Sequence, residues 1–215
     1  QSSDIFIFLD DVQFEKNGWH NRNKIKTSEN WMWLTIPVKA KLGMNLNEIK
    51  IDYSSKWINK HKKSIELNYS KTKFFKEYWR NFEEIFEKKY EFLIDINVEF
   101  INKILEMLNV KTKIILSSSL GITKKKSARI LEICKSVNTS NYLSGIMGEE
   151  YLNLEEFKKN GIMVNFQDYQ HPIYKQNYES FLPNMSIIDL LFNEGSNSEK
   201  ILRESKNKKY EIRVK

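Results

Sequence analysis

The sequence predicts an α/β fold, and three observations carry that expectation. Short apolar runs bounded by polar loops fall at residues 6–9, 114–116, 142–143 and 162–166. Between the last three lie stretches of helical periodicity, 127–137 and about 149–159, so strand, helix, strand, helix, strand succeed one another at the spacing of parallel pairing with right-handed crossovers. Residues 54–110 carry long amphipathic stretches and read as a mainly helical insertion. The expectation is a single α/β domain over 1–215. It would hold a mostly parallel, Rossmann-like sheet flanked by helices, the helical insertion, and a small antiparallel strand unit.

In chain order, Phe6, Ile7, Phe8 and Leu9 read as a strand buried on both faces. A polar segment follows: Asp10, Asp11, Gln13, Lys16, Asn17, Asn21, Arg22 and Asn23, with Val12, Phe14 and Trp19 between them as anchors. Ligands of open α/β sheets bind beyond the carboxyl ends of strands, which makes this segment a candidate site; a solvated strand exit with Asx turns is the alternative. Residues 31–38 read as a second strand ending near Pro37, and 49–53 as a third, alternating one. Ser54 or Ser55 then caps a helix with Trp57, Ile58, His61, Ile65 and Asn68 on its inward stripe. His61, Ser64 and Asn68 share one face, and buried polar groups must find partners or line a cavity. Residues 71–89 form an amphipathic helix whose aromatic stripe suits core packing, and 98–108 a further helix stopped by Asn109.

In the second half, Cys134 lies on the apolar stripe of the 127–137 helix and reads as a core thiol. The strands ending at Leu116, Leu143 and Phe166 should open on one edge, gathering Ser118, Ser119, Ser144, Gln167, Asp168, Tyr169 and His171. Pro172 holds the backbone before it extended, which positions the His171 imidazole. Ser186 and Asp189 resemble a helix start, Gly195 a stop, and the basic tail beyond is expected to fray.

With 215 residues the chain can bury a sizeable core, and 3 Pro and 7 Gly leave no flexible linker to divide it. The net charge of +7 favours anionic partners, although lysines solvated along helices account for it equally well. One cysteine excludes an intrachain disulfide and any multi-cysteine zinc site, and the histidine spacing supports no metal. There is no membrane-length apolar run and no signal peptide, so a cytoplasmic protein without a membrane span is expected. No phosphate loop, dinucleotide fingerprint, nucleophile elbow or paired-histidine zinc motif occurs. Nucleic acid is not the expected partner, because the aromatics fall on core stripes.

The segment FIFLDDVQFEKNGWHNRNKIKT followed by W-x-W-L-T-I-P-V resembles the signature of the WbqC-like family, found with bacterial surface-polysaccharide (O-antigen, lipopolysaccharide and capsule) genes. Further echoes are KHKKSIELNYSKTKFF, SSSLG, SARILEIC with YLSG, FQDYQHPIYKQ and FLPNMSIIDLLFNEG, so the resemblance runs along nearly the whole chain. Members of that family begin upstream of this start with a strand and a Pro-rich, aromatic segment, which implies a missing part of the site. The resemblance implies polysaccharide assembly, where amino sugars are decorated with acyl or aminoacyl groups.

The resulting expectation is a transferase that acylates or aminoacylates, for example glycylates, a nucleotide-linked amino sugar. Its donor would be coenzyme A or an acidic acyl or aminoacyl carrier protein bearing a thioester. His61, His171 and Asp10 are the candidate catalytic groups, since an attacking amine must lose a proton. Gln13, Lys16, Asn21, Arg22, Asn23, Asn68, Ser118, Ser144, Gln167 and Tyr169 are the candidate binding groups, with Arg22 and Lys16 or Lys24 for a diphosphate. An ATP-dependent adenylating ligase and a non-catalytic partner of a polysaccharide-assembly complex are the alternatives.

Overall fold

The computed structural model describes residues 1–205 and the backbone of 207–211. Of the basic tail, Lys206 and residues 212–215 lie outside the described residues. The strands are β1 (Ile5–Phe8), β2 (Arg22–Lys26), β3 (Trp31–Thr35), β4 (Val38–Lys39), β5 (Lys50–Ile51), β6 (Lys113–Leu116), β7 (Asn141–Gly145), β8 (Met163–Tyr169) and β9 (Asn207–Glu211). The helices are α1 (Trp57–Tyr69), α2 (Phe75–Glu87), α3 (Leu93–Met107), α4 (Lys126–Ser136), α5 (Leu154–Lys159), α6 (Ile187–Glu194) and α7 (Ser198–Glu204). Among the described residues no helix is long and apolar enough to cross a membrane.

The described residues form two compact units, one of residues 1–9, 112–171, 205 and 207–211, the other of 10–111 and 172–204. In the first, β1 pairs in parallel with β6, and β7 in parallel with β8, whose other edge carries antiparallel β9. The class is therefore mixed α/β, with small parallel and antiparallel sheets flanked by helices. Parallel pairing is as expected within each sheet, but among the described residues the two sheets are separate, and one continuous parallel sheet is not formed. Among the described residues β1 has only β6 as a neighbour, and Phe6 is half exposed, which corrects the expectation of burial on both faces. Leu131, Cys134, Leu152, Phe157, Ile162, Val164 and Phe166 form this unit's core. Cys134 is the expected core thiol, its pKa pushed up to about 11 by burial. The helix expected at 149–159 is split: a 3-10 turn at Ile146–Glu150 is followed by α5, because the Asn153 side chain accepts from the Glu156 amide and starts a new helix. Gly161, at φ +70°, ends it.

In the second unit, α1, α2 and α3 bury their apolar stripes together with α6. Phe192 of α6, fully buried, meets Phe75, Phe82 and Tyr69 with ring centres 5.1, 5.8 and 5.4 Å apart. The aromatic stripe of α2 is core, as its periodicity predicts. Helix α3 begins five residues before the expected 98, since Leu93, Ile94 and Ile96 extend its buried face. Helix α1 begins at Trp57 with Lys56 before it, and Ser54 instead bonds the Asp52 carboxylate through its amide. Strand β2 pairs antiparallel with β3, and β4 with β5. The expected 31–38 strand thus breaks at Ile36–Pro37, and the segment containing Arg22 and Asn23, expected as loop, is a strand.

A buried polar network ties residues 172–189 to β2 and α1. Asp189 is fully buried; its Oδ1 accepts from the Tyr69 hydroxyl (2.8 Å) and its Oδ2 from the Tyr174 hydroxyl and Gln176 Nε2 (both 2.8 Å). Tyr69 in turn accepts from the Lys26 amide at 2.9 Å, and Lys26 Nζ donates to the Ser180 carbonyl. Burial raises the Asp189 pKa against these donors. Asp189 is therefore structural as expected, though as the centre of this network and not as part of a helix cap.

Candidate functional site

The parallel pair β7 and β8 ends at Gly145 and Tyr169, and a pocket of about 450 Å³ opens there. Tyr142, Ser144, Gln167, Asp168 and Tyr169 line it from the strands, and Gly148 and Tyr151 from the turn after β7. The position follows from topology: parallel strands leave their last residues, and the amides beyond them, at one end. Ser144 is almost fully buried and donates through Oγ to the Gly145 carbonyl at 3.0 Å. Gly148 leaves no space for a side chain, since a Cβ there would lie 2.0 Å from Ser144 Oγ. Glycine therefore lets the turn close down on the serine. Tyr151 and Tyr169 stand 52% and 47% exposed at the pocket, beside exposed Ile146 and Met147, so the site offers apolar contact as well as hydroxyl, amide and carboxylate groups. The His171 ring packs edge-on to Tyr169, 6.3 Å between centres.

The structure thus brings Ser144, Gln167, Tyr169 and His171 together in one unit. Ser118 is exposed in the 3-10 turn after β6 and is not part of the pocket lining. Tyr142, Tyr151 and Gly148 were not singled out by sequence reasoning. The signal available for them was the glycine pair Gly145 and Gly148 immediately after an apolar strand, a spacing that marks close backbone approach.

The remaining candidates lie in the second unit. Asp10 is buried there, its carbonyl accepting from the Asn47 amide. Gln13 bridges Asn45 through its backbone and is exposed, as is Lys16. Asn21 donates from Nδ2 to the Ile36 carbonyl at 2.9 Å. Arg22 donates to the carbonyls of Gly18 (3.1 Å, from Nε) and Asn17, and Asn23 Oδ1 accepts from the Lys24 amide at 2.8 Å. These three side chains brace the 17–23 loop and the strand it enters. Asn68 turns Nδ2 back on its own helix, to the Ser64 carbonyl.

His61 is only 7% exposed; its Nε2 donates to the Thr35 carbonyl at 3.0 Å, and Trp57 and Phe86 stand edge-on to its ring. Burial pushes its pKa down to about 4. Its geometry is that of a satisfied core histidine, neutral near pH 7, and not of an accessible base. Among the described residues no cluster of His, Cys, Asp and Glu is placed to hold a metal ion.

Fold and candidate site together define a mixed α/β protein with a pocket of mixed polar and apolar lining at the carboxyl end of a parallel strand pair. The chain belongs to the WbqC-like protein family, whose model matches residues 1–201. It is similar to an uncharacterized protein, Rv1507c, of Mycobacterium tuberculosis, 33% identical over 204 residues, which is 93% of this chain and 88% of that one. No solved structure matches.

Proposed function

We propose that the protein is a transferase of bacterial surface-polysaccharide biosynthesis that acylates or aminoacylates a nucleotide-linked amino sugar. The observation that carries this reading is the pocket beyond β7 and β8, where hydroxyl, amide and carboxylate groups converge with an imidazole one ring away. Gln167, Ser144 and the tyrosine hydroxyls suit the hydroxyls of a sugar, and the exposed Ile146, Met147 and Tyr151 suit the apolar part of a donor. His171 is the base. It takes the proton of the attacking amine as the N–C bond forms, the thioester C–S bond breaks and the thiolate of coenzyme A or a carrier protein leaves. Tyrosine hydroxyls at the pocket stabilise the oxyanion that develops. Asp10 and His61 take no part in this scheme.

The test is a mass-spectrometric transfer assay with nucleotide-linked amino sugars and acyl or aminoacyl thioesters. His171→Ala should lower turnover more than affinity, and Gln167→Ala should weaken sugar binding. Equal loss of both in His171→Ala would remove it as the base. Pyrophosphate release from ATP without transfer from any thioester would replace this reading with an adenylating ligase.

A further inference from the structure

Three tryptophans of the second unit gather at the β2–β3 hairpin. Trp31 and Trp33 occupy alternate positions of β3, and Trp19 joins them from the preceding loop. They form a row, Trp31, Trp33, Trp19, with successive ring centres 5.6 and 5.1 Å apart. Trp19 is 59% and Trp31 38% exposed, whereas Trp57 and Trp79 are buried. Trp19 is thus not the anchor its sequence context predicts. The hairpin's contribution to the core comes from Ile25 and Leu34, at positions that alternate with the tryptophans, so these indoles are not needed to close the fold.

Two cations sit among the rings. Lys24, opposite Trp33 in the ladder, holds Nζ 4.2 Å from the centre of Trp31, 5.2 Å from Trp33 and 5.6 Å from Trp19. The Arg22 guanidinium carbon lies 4.2 Å from the Trp33 centre. Among the described residues no ion pair engages either cation, and Glu15 and Glu29, the nearest acidic residues along the chain, pair with neither. An indole face attracts a cation without neutralising it, so the charge stays available. The face therefore presents positive charge beside a largely exposed aromatic ring.

A neutral sugar would use the rings and leave the charge unanswered; inorganic phosphate would do the reverse. A nucleoside phosphate answers both, its base stacking on an aromatic side chain and its phosphates meeting the cations. We propose that the Trp19–Trp31–Trp33 face with Lys24 binds a nucleoside diphosphate, the base on Trp19 and the diphosphate beside Lys24. Arg22 keeps its place over Trp33 through its bonds to Asn17 and Gly18 and adds to the field. The proposal rests on the nucleotide-linked substrate class of the reaction above for its biological sense, and it concerns the second unit by itself.

The indoles report on their own occupancy. Tryptophan fluorescence of the whole protein, titrated with UDP, should quench saturably, with uridine and pyrophosphate each binding roughly tenfold or more weakly than UDP. These arms need no variant. Trp19→Ala and Lys24→Gln should each weaken UDP roughly tenfold, with thermal melting confirming that both are folded. Equal affinity for pyrophosphate and UDP, or unchanged affinity in both folded variants, would overturn the proposal. Binding of oligouridylate without binding of UDP would also overturn it, in favour of a nucleic-acid surface. The transfer assay separates the two readings: acyl transfer without UDP binding at this face removes the inference alone. UDP binding without any transfer removes the reaction alone.

Discussion

Replacing Gly148 with alanine should collapse the floor of the pocket, and the geometry sets both the size and the partner of the effect. In an open helical turn the change would stabilise by roughly 0.5–1 kcal/mol, because glycine loses more backbone freedom on folding. Here the new methyl would lie 2.0 Å from Ser144 Oγ and 3.1 Å from both Ser144 Cβ and Leu152 Cδ1. The first distance is impossible, so the hydroxyl must rotate away and give up its bond to the Gly145 carbonyl, a loss of about 1 kcal/mol. The two tighter-than-normal contacts add overpacking strain of about 1 kcal/mol or more. Set against that backbone gain, the expected net loss for Gly148→Ala is about 1–1.5 kcal/mol or more, compared with about 1 kcal/mol for Ser144→Ala alone. Because the alanine at 144 removes the clashing oxygen, the double variant should lose clearly less than the sum, by about 1 kcal/mol. Urea melts of the four proteins measure this cycle, and ligand binding by the double variant should recover relative to Gly148→Ala. Additivity of the two single changes within roughly 0.5 kcal/mol would refute the packing described for the pocket floor.

Other expectations follow from the second unit. Tyr69→Phe removes a hydroxyl that serves both the Lys26 amide and the Asp189 carboxylate, and should cost about 3 kcal/mol in urea melts; a loss below about 1 kcal/mol would show that the network is not satisfied as described. The unfolded chain protonates His61 near pH 6.5 and the folded chain near 4, so its contribution is full above 6.5 and is lost as pH falls towards 4. The loss is about 3 kcal/mol in all, and the difference between wild type and His61→Gln across that window should isolate it from the carboxylates. Gly195 combines φ +58° with a Cβ position 2.5 Å from the Phe74 ring, so Gly195→Ala should cost about 3 kcal/mol or more, read as a lowered melting temperature.

Much of this protein was legible in its residues. The 3.6-residue recurrence of Phe75, Tyr78, Trp79, Phe82 and Phe86 determined a buried helix face, and the short apolar runs before Ser117, Ser144 and Gln167 determined strands, because periodicity is a property of the local chain. The family signature was likewise in the order of the residues. Part of the pocket, Ser144, Gln167, Asp168 and Tyr169, followed from the rule that parallel strands expose their carboxyl ends. What the sequence could not decide was which polar side chains remain available. Asn21, Arg22 and Asn23 look like ligands in the one-dimensional order, but β2 and its loop consume part of their hydrogen-bonding capacity on backbone. His61 looks like a base until Trp57, Phe86 and the Thr35 carbonyl close round it. Trp19 looks like an anchor, yet it stands exposed while the hairpin buries Ile25. Strand pairing, and with it which face of a hairpin meets the core, depends on contacts distant in sequence, so only the tertiary structure settled it.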